Sequence, residues 1–148
     1  MNAKRYRSRA QQQKRRGGVA TVELAFVLPA LLALTIGTMD ICSMMFLKES
    51  AVLAAYEGAR RGVGRGRTND DVIDRVTEFL NERGINYTGG NVVDISAPGF
   101  DGAATLENVT VTVTIPTSGN LLIPSAVFGD MVVEGNVTLR KEYRNLAN

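Results

Sequence analysis

The chain has 148 residues, no histidine, no tryptophan and one cysteine, Cys42. Without histidine there is no Ser-His-Asp or Cys-His nucleophile and no imidazole ligand for zinc, copper or haem; one cysteine forms neither an intrachain disulfide nor a four-thiolate metal site. The net charge of +2 hides a division: residues 1–18 carry seven basic groups and no acid, whereas residues 19–148 carry ten basic and fifteen acidic groups and sum to −5.

An arm as basic as Lys4, Arg5, Arg7, Arg9, Lys14, Arg15 and Arg16 suits a nucleic-acid tail, a membrane-surface patch or the cytoplasmic flank of an inserted helix. The residues that follow choose the last. From Val19 to Leu47, 21 of 29 residues are apolar, and Glu23 and Asp40 are the charged ones. As a helix this run measures about 43 Å, enough to cross a hydrocarbon core of about 30 Å with some tilt. The basic flank stays in the cytoplasm, so the chain after Lys48 is expected outside, and nucleic acid is not expected as a partner.

An ordinary secretory signal has a shorter apolar region and a small-residue cleavage site after it, and neither is found here. Met39, Asp40 and Ile41 make a poor lipobox before Cys42, which reads as a small apolar residue facing lipid or a neighbouring helix. Arg15-Arg16 lacks the apolar sequel of a twin-arginine signal.

The junction Arg15-Arg16-Gly17-Gly18-Val19-Ala20-Thr21-Val22-Glu23 resembles the class III signal of type IV pilins, a basic leader ending in glycine before an apolar helix. The resemblance implies cleavage by a prepilin peptidase between Gly18 and Val19, with Glu23 as the fifth residue of the mature chain; cleavage after Gly17 would make it the sixth. Val22-Glu23-Leu24-Ala25-Phe26-Val27-Leu28-Pro29, the late acid Asp40, and Ala54-Ala55-Tyr56-Glu57-Gly58-Ala59-Arg60 are similar to the TadE-like pseudopilins of tight-adherence (Flp pilus) systems. The match is strongest over residues 15–63 and is one of strand pattern over 91–143. Val19 departs from the phenylalanine common at this position in major pilins.

Glu23 also has a physical reading. A carboxylate near the start of a membrane helix is costly unless paired or held at the interface. Cleavage would place a positive amine one helical turn before it, and the family resemblance implies that this pair forms between neighbouring subunits and sets their register. The alternative is a carboxylate resting in the headgroup zone, favoured at a helix start. Asp40 lies about 26 Å further along the axis, at the outer interface, and suits either contact with a partner helix or solvation. Pro29 removes one helical hydrogen bond and is expected to kink the span.

Beyond Lys48 the helix is expected to continue to about Val63, with Val52, Ala55, Tyr56 and Ala59 as its apolar stripe. Gly62–Arg67 ends it, and Arg60, Arg61, Arg65 and Arg67 read as a solvated helix end. Thr68 to Asp71 supplies a capping box and Gly84 a stop for a second, amphipathic helix. Its apolar face is Val72, Ile73, Val76, Phe79 and Leu80; Asp74, Arg75, Glu78 and Glu82 form its polar face.

The remainder is strand-like. Val92–Ser96 is a short candidate, Val109–Ile115 alternates valine or isoleucine with threonine, and Met131, Val133, Val137, Leu139 and Tyr143 recur with period two. Between them, Leu121-Leu122-Ile123 and Val127-Phe128 are expected to tuck under the sheet. Three strands with one apolar face must pack on the helices. Asn86, Asn108 and Asn136 stand in N-x-T sequences, for which strand threonines suffice without glycans.

The expected class is therefore α+β and pilin-like: a leader (1–18), a transmembrane helix with its extension (19–67), and a head (68–148) with a second helix and a small antiparallel sheet of about three strands. No catalytic group, metal site or cofactor is expected. The resemblance implies a minor pilin or pseudopilin of a bacterial inner membrane, amino terminus inside, with a prepilin peptidase, other pilin subunits and pilus assembly machinery as partners. The rival is an uncleaved single-pass protein whose head binds a partner or scaffolds a complex.

Overall fold

Branched apolar residues alternate with threonines from Val109 to Ile115, and in the computed structural model this run lies in the central strand of a three-stranded antiparallel sheet. The structure describes residues 3–87, 91–124, 129 and 131–143, with side chains from Gly18 onward. The strands are β1 (Val93–Ile95), β2 (Asn108–Pro116) and β3 (Val132–Arg140), in the order β1-β2-β3. Val93 pairs with Val113, and the β2–β3 ladder runs from Asn108↔Arg140 to Pro116↔Val132. Because side chains alternate across a sheet, Val109, Val111, Val113 and Ile115 all fall on one face, each 0% exposed. On the other face the Thr110 and Thr138 hydroxyls lie 2.8 Å apart.

The helices are α1 (Ala3–Val63), α2 (Asn69–Glu82) and a single turn, α3 (Gly99–Gly102). The fold is α+β, with a long amino-terminal apolar helix, a further helix and a three-stranded antiparallel sheet. The chain divides into two units, Met1–Thr38 and Met39–Asn148. In the first unit, the described side chains from Val19 to Ile36 are all exposed, and α1 continues through Pro29.

In the second unit, the valine face of the sheet shares one core with α1 and α2. The buried stripe of α1 consists of small residues: Ala51, Ala54, Ala55 and Ala59 have no exposure, and Gly58 and Gly62 are buried with them. This corrects the expected stripe, since Val52 and Tyr56 are exposed while Ala55 and Ala59 are buried. The physical reason is close approach. A Cβ on Gly58 would stand 2.5 Å from a Val76 methyl, and one on Gly135 would stand 2.4 Å from the Ala51 carbonyl carbon. Small residues let α2 and β3 lie almost on the backbone of α1; larger ones turn outward.

The second helix begins and ends as its sequence indicates. The Thr68 hydroxyl accepts from the Asp71 N–H, and the Asp71 carboxylate accepts from the Thr68 N–H. At the other end Gly84, at φ +64°, donates to Asn81 and Ile85 donates to Leu80, satisfying carbonyls that a helix end leaves open. Val72, Val76 and Leu80 are buried, Phe79 is half-buried, and Ile73 departs from the expected face by being exposed.

Two further expectations are corrected. Leu122 does not tuck under the sheet: it is 63% exposed, whereas Leu121 packs against the core. Val127 and Phe128 lie outside the described residues. The inward series on β3 does not reach Tyr143, which is exposed; after Val133, Gly135, Val137 and Leu139 the next inward position belongs to Lys141, which is 0% exposed.

Candidate functional site

The amino-terminal part of α1 is built for an apolar environment. From Gly18 the helix is long and apolar enough to cross a membrane, and none of its most apolar window is buried within the protein. Large apolar side chains stand outward all around it, including Val22, Leu24, Phe26, Leu31 and Leu34. A helix apolar on every side is stable where it is surrounded by lipid or protein. Such polar groups as it has are partly met within the helix: the Thr35 hydroxyl donates to the Leu31 carbonyl at 2.8 Å, and Ser43 donates to Met39 at 3.0 Å.

Gly18, Val19 and Glu23 lie on this helix and are exposed. No described atom stands within 4 Å of the space a Cβ would occupy on Gly18. Val19 and Glu23 are four residues apart, about 6 Å along the axis and on one side of the helix. Among the described residues no ion pair reaches Glu23.

Asp40 differs. It is 6% exposed, and its two oxygens accept separately from consecutive backbone N–H groups, Leu122 at 2.8 Å and Ile123 at 2.9 Å. Interfacial solvation therefore does not describe this carboxylate, because amides of the β2–β3 loop have taken the place of water. Contact with a partner helix would have to form around this clamp. Sequence reasoning placed Asp40 at the edge of the apolar run but had no signal for a loop 82 residues away.

Around this clamp the second unit is tied together by its cations. Lys48 Nζ donates to the Glu134 carbonyl. Arg83 donates to the buried Ser50 hydroxyl at 3.1 Å and lies 4.6 Å from the Phe79 ring centre. Arg75 joins the helices, bonding Glu78 at 3.0 Å and approaching Glu57 of α1 at 3.5 Å; these carboxylates raise its guanidinium pKa above the ordinary arginine value, the Glu78 hydrogen bond first. Arg60, Arg61 and Arg65 are exposed, whereas Arg67 pairs with Asp71 at 3.1 Å.

Lys141 reaches from the end of β3 to the end of α1, donating to the Gly62 carbonyl at 2.8 Å, with its Nζ 5.6 Å from the Phe100 ring centre. Position 141 continues the inward series of β3, with a lysine in place of an apolar residue. Among the described residues, no group of three or more Asp, Glu or Cys residues is arranged to hold a metal ion.

Among the described residues, these features comprise one helix long and apolar enough to span a membrane, followed by a small α+β unit. The family model of TadE-like proteins matches residues 18–60, from the predicted cleavage glycine to the first arginine of the helix end. The resemblance to that family is thus borne out over the apolar helix and its extension, and the family is a structural, Tad pilus-associated one. No curated protein and no solved structure matches the chain.

Proposed function

We propose that this protein is a minor pilin or pseudopilin, a non-enzymatic subunit for building a tight-adherence (Flp-type) pilus or a related secretion machine. The observation that carries the reading is the coincidence of the TadE-like match with an exposed apolar helix bearing Glu23 one turn beyond Val19. The basic leader holds residues 1–18 in the cytoplasm, α1 crosses the inner membrane, and the head stands outside. A prepilin peptidase cuts between Gly18 and Val19. The new amine of one subunit then meets Glu23 of its neighbour, where a low-dielectric surrounding strengthens the attraction, and the pair selects the register in which helices pack. The partners are other pilin subunits and the pilus assembly machinery.

Amino-terminal sequencing and intact mass of the protein from cells with the peptidase test the first step. A mature chain beginning at Val19 supports it, while an intact amino terminus favours the uncleaved single-pass protein with a scaffolding head. Glu23→Ala tests the second step: this variant should still be cleaved but fail to co-purify with the assembly. Normal incorporation would overturn the pairing.

A further inference from the structure

The Asp40 clamp bears on how deeply the protein sits in a bilayer. Leu24–Met39 contains no charged residue, but it spans only about 24 Å as a helix, short of a hydrocarbon core of about 30 Å. A solvated Asp40 would stop the helix there. The carboxylate is instead enclosed, with both oxygens bonded to amides of Leu122 and Ile123. An ionisable group whose acceptors are met by protein can lie within the interface at far lower cost than a bare one.

The surroundings suit deeper placement. The next charged residues of α1 are Lys48 and Glu49. Between Asp40 and that pair, Ile41 is 61% exposed, Met45 70% and Phe46 49%. Apolar side chains thus continue outward for almost two turns past the carboxylate. Counting from Leu24, a hydrocarbon core of about 30 Å ends near Met44, which places Asp40 just inside the outer boundary.

If Asp40 lies at the outer boundary, so does the loop bonded to it. Residues 121–124 are Leu-Leu-Ile-Pro, without a charge. Leu121 faces the core, fixing the base of the segment, while Leu122 is 63% exposed. An exposed leucine held by its own amide beside the emerging end of a membrane helix is placed to enter lipid. The helix brings the bilayer to it, and no second protein is required.

We propose that residues 121–124, clamped by Asp40 through the Leu122 and Ile123 amides, rest in the outer interface of the bilayer with Leu122 as the lipid anchor. The anchor is independent of leader cleavage and subunit assembly; it rests on insertion of α1. Leu122 joins Ile41 and Met45 in the headgroup–acyl boundary. Occupancy of that boundary by apolar side chains is favourable in proportion to the area they bury.

The chain lacks tryptophan, so a single introduced one gives an unambiguous signal. Full-length Leu122→Trp and, separately, Leu34→Trp are reconstituted in phosphatidylcholine–phosphatidylglycerol vesicles containing brominated phosphatidylcholine. Leu122→Trp should emit to the blue of its position in water and lose emission most to bromines placed high on the acyl chain; Leu34→Trp should lose it to deep bromines. If Leu34→Trp is quenched but Leu122→Trp answers only to aqueous acrylamide, the anchor is overturned while membrane insertion stands. If Leu122→Trp is shielded from acrylamide and untouched by bromolipid, protein covers the loop and the proposal fails equally. If neither position is quenched, insertion of α1 and the anchor fall together. In the unsubstituted chain, nitroxide lipids should broaden the Leu122 methyl resonances in nanodiscs, so the result does not depend on tolerance of tryptophan; sharp resonances would contradict it.

Discussion

Lys141 Nζ donates to the Gly62 carbonyl oxygen at 2.8 Å, so a buried ammonium from the end of β3 closes the carboxyl end of α1. The last carbonyls of a helix lack intrahelical donors and carry a partial negative charge, and a lysine answers both needs. Lys141→Met preserves much of the apolar stem but removes the donor. The Gly62 carbonyl would be left buried and unmet, at a cost of about 1–3 kcal/mol. Urea denaturation of the full chain in detergent should show a lower midpoint with little change in slope.

The same lysine predicts a pH dependence. Burial pushes its pKa below the ordinary 10.5, and the negative charge of Asp101 opposes part of that shift. Between the lowered value and 10.5, the unfolded chain binds more protons than the native one, so this group contributes stability that rises with pH. The melting temperature of the native chain relative to Lys141→Met should therefore increase as pH approaches 10.5. Other ionisations are shared by the two proteins and cancel in the difference. A difference that is flat or falls with pH would show that burial does not disfavour the ammonium.

Much of this architecture was legible because it rests on local chemistry. The Thr68–Asp71 capping box, the Gly84 stop and the alternation over Val109–Ile115 each act within a few residues, and the structure retains all three. What was not legible depends on partners distant in sequence. Periodicity shows that α1 has a face but favours large side chains such as Val52 and Tyr56 as its centre. The face used is the one with Ala51, Ala54 and Gly58, because β3 and α2 approach too closely for anything larger. The enclosure of Asp40 and Lys141 was not legible for a related reason. A charge in an apolar series reads as exposed until the backbone groups that satisfy it are in view. For the candidate site, the residue pattern around Gly18, Val19 and Glu23 was fully visible, whereas the loop held by Asp40 was not.

Gly135 offers a test of close packing between strand and helix. It pairs with Val113 in the sheet, and a Cβ on it would meet the Ala51 carbonyl carbon and the Val52 nitrogen at 2.4 Å. These are backbone atoms of α1 and cannot turn aside as a flexible side chain can. Gly135→Ala should therefore cost about 1–3 kcal/mol, the range for overpacking a dense core. Gly37→Ala is the comparison, since nothing lies within 4 Å of a Cβ there, and its effect on head stability should stay within about 0.5 kcal/mol. Equal effects at the two glycines would contradict the contact between β3 and α1.

The cap of α2 makes a smaller prediction. The Thr68 hydroxyl accepts from the Asp71 N–H, and Asp71 returns a bond to the Thr68 N–H at 2.9 Å. Thr68→Ala removes the first bond and should reduce stability by about 1 kcal/mol. Thr68→Ser retains the oxygen and should restore most of that loss. A serine variant as weak as the alanine one would place the effect in the methyl group of Thr68.

Asp40 separates local from global stability. Its oxygens hold two consecutive amides, Leu122 and Ile123, at 2.8 and 2.9 Å. Hydrogen bonds to a charged acceptor contribute about 1.5–3 kcal/mol each. Loss of one such bond would speed amide exchange about tenfold to a hundredfold if exchange proceeds by opening of this loop alone. Asp40→Ala should therefore accelerate exchange at Leu122 and Ile123 while leaving the β2–β3 ladder, such as the Val111 and Val137 amides, close to its original rate. Asp40→Asn keeps one oxygen but turns an NH2 toward the other amide, so it should release the loop to an intermediate degree. If the ladder amides accelerate together with the loop, the clamp supports the whole head. If neither set changes, the two bonds do not restrain the loop in solution.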